Sequence, residues 1–203
     1  MPDKVKFYYN PMSRGRMVHW MLEEVGAEYE IQFLDWKKRD HKSPEYLKIN
    51  PMGKIPAIIH RSTVITETPA ICAYLADAFP SAGLAPEIHS ADRGSYYRWL
   101  FFGAGCIEAA IFDKKYPRAN SPQSSYLGYG SYDDTMNTLE KAVTNGYLVG
   151  NKFSAADLYI SSQIGWALAN KDIEAKPAFV LYHKMCTERP AFKRFMEKAA
   201  KIS

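Results

Sequence analysis

Glu67 is followed at once by Thr68 and Pro69, and a helix signal runs on from there. Proline suits the first helical position, so Thr68 reads as the N-cap, its amide at the positive end of the helix dipole. An exposed carboxylate on Glu67 beside those amides sets opposite charges close together. Such a pair suits a zwitterion, its ammonium on Glu67 and its carboxylate on the helix N-terminus. Earlier in the chain stands Ile55-Pro56, opening an apolar run that ends at Ile59. A proline lacks an N–H, so within a sheet it takes a strand's first residue or an edge. That leaves the backbone of Ile55 free to pair with an extended peptide from outside the sheet. Residues 50–75 therefore read as a clamp for a small peptide with a free amino-acid head.

The elements that must hold this clamp follow from periodicity. Val5, Phe7 and Tyr9 alternate on one face of a first strand, and Tyr29, Ile31 and Phe33 on a second. Between them Val18, Met21, Leu22 and Val25 recur at helical spacing, with Ser13 as N-cap and Gly26 as terminator. Strand, helix, strand is a parallel βαβ unit. A basic loop leads to Ser43-Pro44-Glu45, which opens a short helix stopped by Asn50-Pro51. A hairpin turning at Arg61-Ser62 and the helix after Glu67 complete a βαβ-α-ββα domain.

The stretch from Phe79 to Pro86, rich in proline and small residues, reads as a linker. Beyond it the signals are helical. A long aromatic helix spans residues 91–115, where Gly103 and Gly105 permit a kink or a close helix approach. A second runs over 131–145, with Tyr132, Met136, Leu139 and Val143 on one stripe. Ser154 and Asp157 have capping-box spacing, with Phe153 at the staple position, ahead of an apolar and therefore buried helix. Two more helices open at Pro177 and Pro190. The expected organisation is residues 1–80, a linker at 81–90, and a helical domain over 91–203.

Composition sets outer bounds. The 203 residues are 47% hydrophobic and 24% charged, enough to bury a core. A net charge of +4, spread along the chain, does not suggest nucleic-acid binding. Three cysteines, Cys72, Cys106 and Cys186, show neither CxxC nor metal-ligand spacing, and read as buried, inert thiols. The opening MPDKVKFYY has no signal-peptide core and no apolar run approaches a membrane span, so the expected location is cytoplasmic.

This order of motifs resembles the cytosolic glutathione S-transferases along the whole chain. Asn50-Pro51-x-Gly53-Lys54-Ile55-Pro56 is similar to the family's cis-proline segment, and Thr66-Glu67-Thr68-Pro69-Ala70-Ile71 to its glutamyl-binding helix start. Residues 150–157 match its helix-six capping box, and Arg189-Pro190-Ala191 its C-terminal signature. The resemblance implies a thioredoxin-like α/β N-terminal domain followed by an all-α helical bundle. It implies that Ile55, ahead of a cis Pro56, pairs with the cysteinyl part of glutathione. Glu67 and Thr68 would hold the γ-glutamyl end, and His41 and Lys54 the glycyl carboxylate. Glutathione is then the co-substrate, with no metal, a small hydrophobic electrophile is the second substrate, and the assembly is a homodimer.

The reaction so implied is addition of the glutathione thiolate to the electrophile, with peroxidase activity toward organic hydroperoxides as a further activity. A free thiol with a pKa of roughly 8.5 is mostly protonated at neutral pH, so a donor must stabilise the thiolate. Ser13 leads, a hydroxyl at the head of the first helix in an SR context common among bacterial members. Tyr9 follows, because tyrosine-type members use the end of strand one, and Tyr8 lies nearby. Asn10 falls near the catalytic serine of theta-like and phi-like members, and Arg14 near the catalytic cysteine of beta-like ones. Tyr97, Phe101 and Cys106 are the candidates for the electrophile pocket. Two rival functions use the same fold: a non-catalytic glutathione-binding or regulatory protein, and a glutathione-dependent disulfide reductase.

Overall fold

In the computed structural model, which describes residues 4–202, the alternation at Val5, Phe7 and Tyr9 becomes strand β1 (Val5–Tyr9). All three side chains are fully buried. The outermost residues of the expected domain ranges, 1–3 and 203, lie outside the described residues. Helix α1 (Gly15–Val25) buries Val18, Met21, Leu22 and Val25. It ends at Gly26, whose φ of 66° is open to glycine without a Cβ penalty. Strand β2 (Tyr29–Phe33) pairs parallel with β1, Val5 opposite Tyr29. It is an edge strand, so its alternation is blunted and Phe33 is exposed.

Helix α2 (Pro44–Leu47) is capped by Ser43, whose Oγ accepts from the Tyr46 N–H at 3.2 Å. Strands β3 (Ala57–His60) and β4 (Thr63–Thr66) follow, then helix α3 (Thr68–Ala78). Strand β3 starts one residue after the expected Pro56. Arg61 and Ser62 join the strands with positive φ at both positions, 49° and 63°, as a two-residue type I′ hairpin requires. The sheet order is β2-β1-β3-β4, with β3 antiparallel to both β1 and β4. Helices α1 and α3 pack on each other against the face carrying Phe7 and Tyr9. On the other face Tyr46 of α2 sets its ring 5.4 Å from that of Tyr8, over Leu34, Ile55 and Ala57.

The chain divides into two units, one running up to Leu84 and including everything from Arg189, the other Ala85–Glu188. Helix α9 (Pro190–Ala199) therefore belongs with the sheet, not with the helical domain expected over 91–203. Its apolar face explains the difference. Phe192 meets Trp20 at 4.9 Å and Phe195 meets His19 at 5.2 Å, both edge-on to α1.

The second unit contains α4 (Asp92–Phe102), α5 (Glu108–Lys115), α6 (Tyr132–Val143), α7 (Ala155–Ala169) and α8 (Pro177–Thr187). The long helix expected over 91–115 is α4 and α5 joined by a π-helical turn at Gly103–Ile107. Such a turn leaves carbonyls short of partners, and Gln163 of α7 donates to the Gly103 carbonyl at 3.1 Å. Asp157 closes the capping box on Ser154 and also accepts from the Leu148 N–H and the Tyr182 hydroxyl, each at 2.8 Å. Phe153 lays its ring edge-on to Tyr147, 5.7 Å away. Among the described residues no helix is long and apolar enough to cross a membrane.

The two glycines of the π turn differ. A Cβ at Gly103 would lie 2.7 Å from Tyr159 Cε1 and 2.9 Å from Ile160 Cδ1, whereas one at Gly105 meets nothing within 4 Å. Gly103→Ala should cost about 1–3 kcal/mol through overpacking. Gly105→Ala should gain up to about 1 kcal/mol from helix propensity. Urea unfolding midpoints of the two variants should fall on opposite sides of the wild type; equal midpoints would contradict the close contact of the π turn with α7.

Candidate functional site

One row of the sheet gathers the candidate residues. Tyr8 stands opposite Ala57, and Ala57 opposite Thr66. The end of β1, the start of β3 and the end of β4 thus share one edge, spanning about 10 Å at the usual strand spacing. Strand β2 leaves at the same edge, since Tyr9 pairs with Phe33 and the Leu34 N–H reaches the Tyr9 carbonyl at 2.9 Å. Loop 10–14, Ile55-Pro56, Glu67-Thr68 and loop 35–42 all start or finish there.

The Ile55–Pro56 peptide bond is cis. Among the described residues neither the N–H nor the C=O of Ile55 has a backbone hydrogen-bond partner. Its neighbour is held firmly, for the Lys54 carbonyl accepts from Tyr46 Oη at 2.5 Å and from Asn50 Nδ2 at 2.9 Å. Burial pushes the Tyr46 phenol up to about 12, so it stays a donor at any physiological pH.

Glu67 is exposed and has φ 65°, ψ 116°, a backbone region that non-glycine residues rarely enter. It is the N-cap of α3, a correction to the expectation that Thr68 holds that place. The sharp turn at Glu67 brings Thr68 into helical geometry one residue early, with its side chain buried. The pairing of an exposed carboxylate with the first-turn amides nonetheless remains. Pro69 has no N–H, and the Ile71 N–H already reaches the Glu67 carbonyl at 2.9 Å. The Thr68 and Ala70 amides are left to face a ligand.

Loop 35–42 brings cations together. His41 is half-buried with its ring edge-on to Trp36 at 4.3 Å and its Nδ1 buried without a partner. Burial first, then the charges of Lys42, Arg39 and Lys54, hold it below the usual histidine pKa. Lys42 Nζ donates to the Met52 carbonyl at 2.9 Å, tying this loop to the one ahead of Ile55. Lys54 itself is exposed.

In the loop after β1 the candidates separate. Asn10 is buried and engaged at both ends of its amide. Nδ2 donates to the Leu34 carbonyl at 2.7 Å and Oδ1 accepts from the Met12 N–H at 2.8 Å. Tyr9 is fully buried against Phe7 and His19, its hydroxyl enclosed and its pKa raised chiefly by burial. Ser13 is half-exposed. Its Oγ donates to the Asn10 carbonyl at 2.7 Å and accepts from the Gly15 N–H at 3.0 Å. Arg14, exposed, is the N-cap of α1, which corrects the expected cap at Ser13; Ser13 satisfies a first-turn amide from one position earlier.

Sequence reasoning missed how loops 10–14 and 50–54 are held, although the sign is plain: Asn-Pro-Met occurs at both. Each asparagine is buried, and each carbonyl accepts from the amide three residues on, Ser13 at 3.1 Å and Gly53 at 2.8 Å. Each Oδ1 accepts from the methionine amide, and each Nδ2 donates to a carbonyl of the site's frame. Proline supplies the fixed φ that such a turn wants after its first residue.

In the second unit Tyr97 and Phe101 stand on an exposed face of α4, Phe101 at 74% exposure. Cys106 lies in the π turn, half-buried, its Sγ 3.9 Å from the Gly128 carbonyl. Burial raises its thiol pKa, and it is not the fully buried thiol expected, unlike Cys72 and Cys186. Among the described residues there is no cluster of three or more His, Cys, Asp or Glu side chains fit for a metal ion.

A thioredoxin-like sheet with a cis-proline edge and a following helical unit defines a class, and comparison with known proteins agrees. Residues 3–77 match the glutathione S-transferase N-terminal domain. The chain is 26% identical over 193 residues to glutathione S-transferase GstA of Escherichia coli O157:H7, covering 92% of this chain and 94% of that one. It is 26% identical over 208 residues to the disulfide-bond oxidoreductase YfcG of Escherichia coli strain K12, covering 96% and 95%. A sphingomonad glutathione S-transferase solved in complex with glutathione aligns with a TM-score of 0.76 at 30% identity, over 96% of this chain and 98% of that one. The chain belongs to the cytosolic glutathione S-transferases, a family of glutathione-dependent enzymes.

The strain at Glu67 makes a stability prediction independent of any ligand. A non-glycine residue in such a region costs about 1–3 kcal/mol, more than the entropy of about 0.5–1 kcal/mol that glycine loses on folding. Glu67→Gly should raise the thermal unfolding midpoint of the free protein. A lowered midpoint would show that the Glu67 side chain supports the fold.

Proposed function

We propose that this protein is a glutathione transferase that ionises the thiol of glutathione and adds it to a small hydrophobic electrophile. The observation that carries this reading is the shared sheet edge, where an unpaired Ile55 backbone, the exposed Glu67 and the Ser13 hydroxyl meet. Glutathione is an extended peptide with a charged amino acid at one end. Ile55 N–H and C=O pair with its cysteinyl residue ahead of Pro56. Glu67 receives the α-ammonium, and the Thr68 and Ala70 amides receive the α-carboxylate at the head of α3. The glycyl carboxylate enters the field of Lys42, Arg39 and Lys54, with Lys54 and His41 as its direct partners. A carboxylate there offsets the cations that, after burial, hold the His41 pKa down.

Ser13 is the group that meets the sulfur. Its hydroxyl can leave the Asn10 carbonyl without orphaning it, because the Ser13 N–H also donates there at 3.1 Å. The Gly15 N–H on Ser13 Oγ polarises the O–H toward donation, and the start of α1 adds the positive end of its dipole. Tyr9 and Asn10 serve as frame rather than as donors, since one hydroxyl is enclosed and the other side chain is occupied. Arg14, exposed beside Ser13, adds positive charge near the thiolate. Tyr97, Phe101 and Cys106 remain the proposed contacts for the electrophile.

A second reading, reduction of glutathione mixed disulfides, is favoured by the likeness to YfcG. In it the bound thiolate attacks a disulfide sulfur in place of a carbon centre. Turnover of a mixed disulfide faster than of aryl halides and hydroperoxides would select it. Binding of glutathione with no turnover of any of these would leave a non-catalytic binding protein.

Glu67→Ala should weaken glutathione binding about 10- to 100-fold, the size of a lost charge-assisted hydrogen bond of about 1.5–3 kcal/mol. Titration calorimetry reads this directly, and an unchanged Kd would remove the zwitterion argument.

Ser13→Ala should lower kcat on the order of 100-fold, as loss of a single donor to developing charge does, with little change in the KM for glutathione. Tyr9→Phe should retain wild-type kcat. The opposite pattern would make Tyr9 the sulfur's partner.

A further inference from the structure

Gly15 begins α1 with a φ outside the left-handed region, so its backbone makes no demand for glycine. Alanine would be the better helix former by about 1 kcal/mol. Space is what excludes it. A Cβ at this position would lie 2.9 Å from Ser13 Oγ and 2.9 Å from Tyr9 Cδ2, closer than real Cβ atoms come to either. The two neighbours do not give equally. Tyr9 is fully buried, with ring centroids of Phe7 at 5.1 Å and His19 at 5.3 Å, and has nowhere to go. Ser13 is half-exposed and free to turn about one bond.

We propose that Gly15 is a positioning residue: its missing side chain keeps the Ser13 hydroxyl where it can reach the glutathione sulfur. The proposal rests on the reading that Ser13 is the sulfur's donor. A methyl group at position 15 forces Oγ into another rotamer, away from both the Gly15 N–H and the Asn10 carbonyl. The hydroxyl survives but no longer points at the thiolate. In the native arrangement Tyr9 is the rigid floor that makes the crowding decisive, and its ring edge matters while its hydroxyl does not.

The test is a double-mutant cycle of wild type, Ser13→Ala, Gly15→Ala and the double variant, with glutathione and an activated aryl halide. Gly15→Ala should lower kcat about tenfold or more, leave the KM for glutathione unchanged, and move the acid limb of the kcat/KM profile upward by about one pH unit, equivalent to a tenfold weaker stabilisation of the thiolate. In the Ser13→Ala background the Gly15→Ala change should cost nothing further, because the group it displaces is already gone. A purely structural role would lower activity equally in both backgrounds, and that result overturns the proposal. So does a Gly15→Ala enzyme with wild-type kcat, or one that fails to fold, which would assign Gly15 to the core. Full activity in Ser13→Ala alone would instead remove the reading of Ser13, and is seen without reference to Gly15.

Discussion

The site depends on a single row of backbone pairing, Tyr8 to Ala57 to Thr66. Strand direction does the rest. Strand β1 runs toward this row, β3 away from it and β4 toward it again, so an exit, an entry and an exit fall side by side. Each of these chain ends then carries its own contribution: a hydroxyl loop, an unpaired peptide unit and a helix N-terminus. A slip of one residue between β1 and β3 would turn every side chain to the opposite face. Tyr9 would leave the core, and Tyr8 would lose Tyr46. The buried alternation of Val5, Phe7 and Tyr9 therefore protects the site's geometry by making that slip expensive.

Loops at a sheet edge need anchoring if they are to present fixed groups, and here one device serves twice. Asn10 and Asn50 each spend their amide on a turn and on a distant carbonyl, Leu34 in one case and Lys54 in the other. The Lys54 carbonyl takes a second donor from Tyr46. With Lys54 so held, the next peptide unit, Ile55, is presented with its hydrogen-bonding groups unspent. Buried polar side chains are costly unless satisfied, and these two are satisfied only by the loop conformations that form the site. The shape of this sheet edge and the local stability of its loops are thus one arrangement.

The strand entry at Pro56 and the helix start after Glu67 were legible because their signals are local. Proline at a strand entry and an acid ahead of a helix speak through backbone chemistry that depends on few neighbours. Helix α1, the hairpin at Arg61-Ser62 and the capping box at Ser154 were legible for the same reason. What escaped was set by longer-range packing or by geometry finer than a residue. The cap positions at Arg14 and Glu67 each differ by one from expectation, since periodicity locates a helix but not the φ of the residue before it. Whether Tyr9, Asn10 or Ser13 is available to a substrate turns on which hydroxyl or amide is already enclosed, and only the packed core decides that. The π turn at Gly103–Ile107 likewise needs Gln163 and Tyr159, which lie far along the chain.

The placement of α9 shows why distance in sequence hides a necessary partner. Helix α1 carries Glu23 and Glu24 in its last turns, where the negative end of the dipole disfavours acids, and both carboxylates are nearly buried. Nearby in sequence Trp20 donates to Glu24 at 3.0 Å and Tyr29 to Glu23, but neither brings a positive charge. The repair comes from the chain's other end. Arg189 forks onto Glu24 at 2.7 and 2.8 Å, and Lys198 reaches Glu23 at 2.6 Å. Arg194 adds an ion pair to Glu23 at 3.4 Å and donates to its carbonyl at 2.9 Å. Glu23 also accepts the Tyr29 hydroxyl proton, so the His19 Nε2 that meets Tyr29 must be the donor, and His19, mainly through burial, is held near pKa 4 and neutral. Arg189, Arg194 and Lys198 thus supply the positive charge that offsets the desolvation of these two carboxylates of α1. The N-terminal end of the same helix holds Gly15 and receives the Ser13 loop. Arg189 and helix α9 therefore belong with the first unit, and through α1 they steady the loop that carries Ser13.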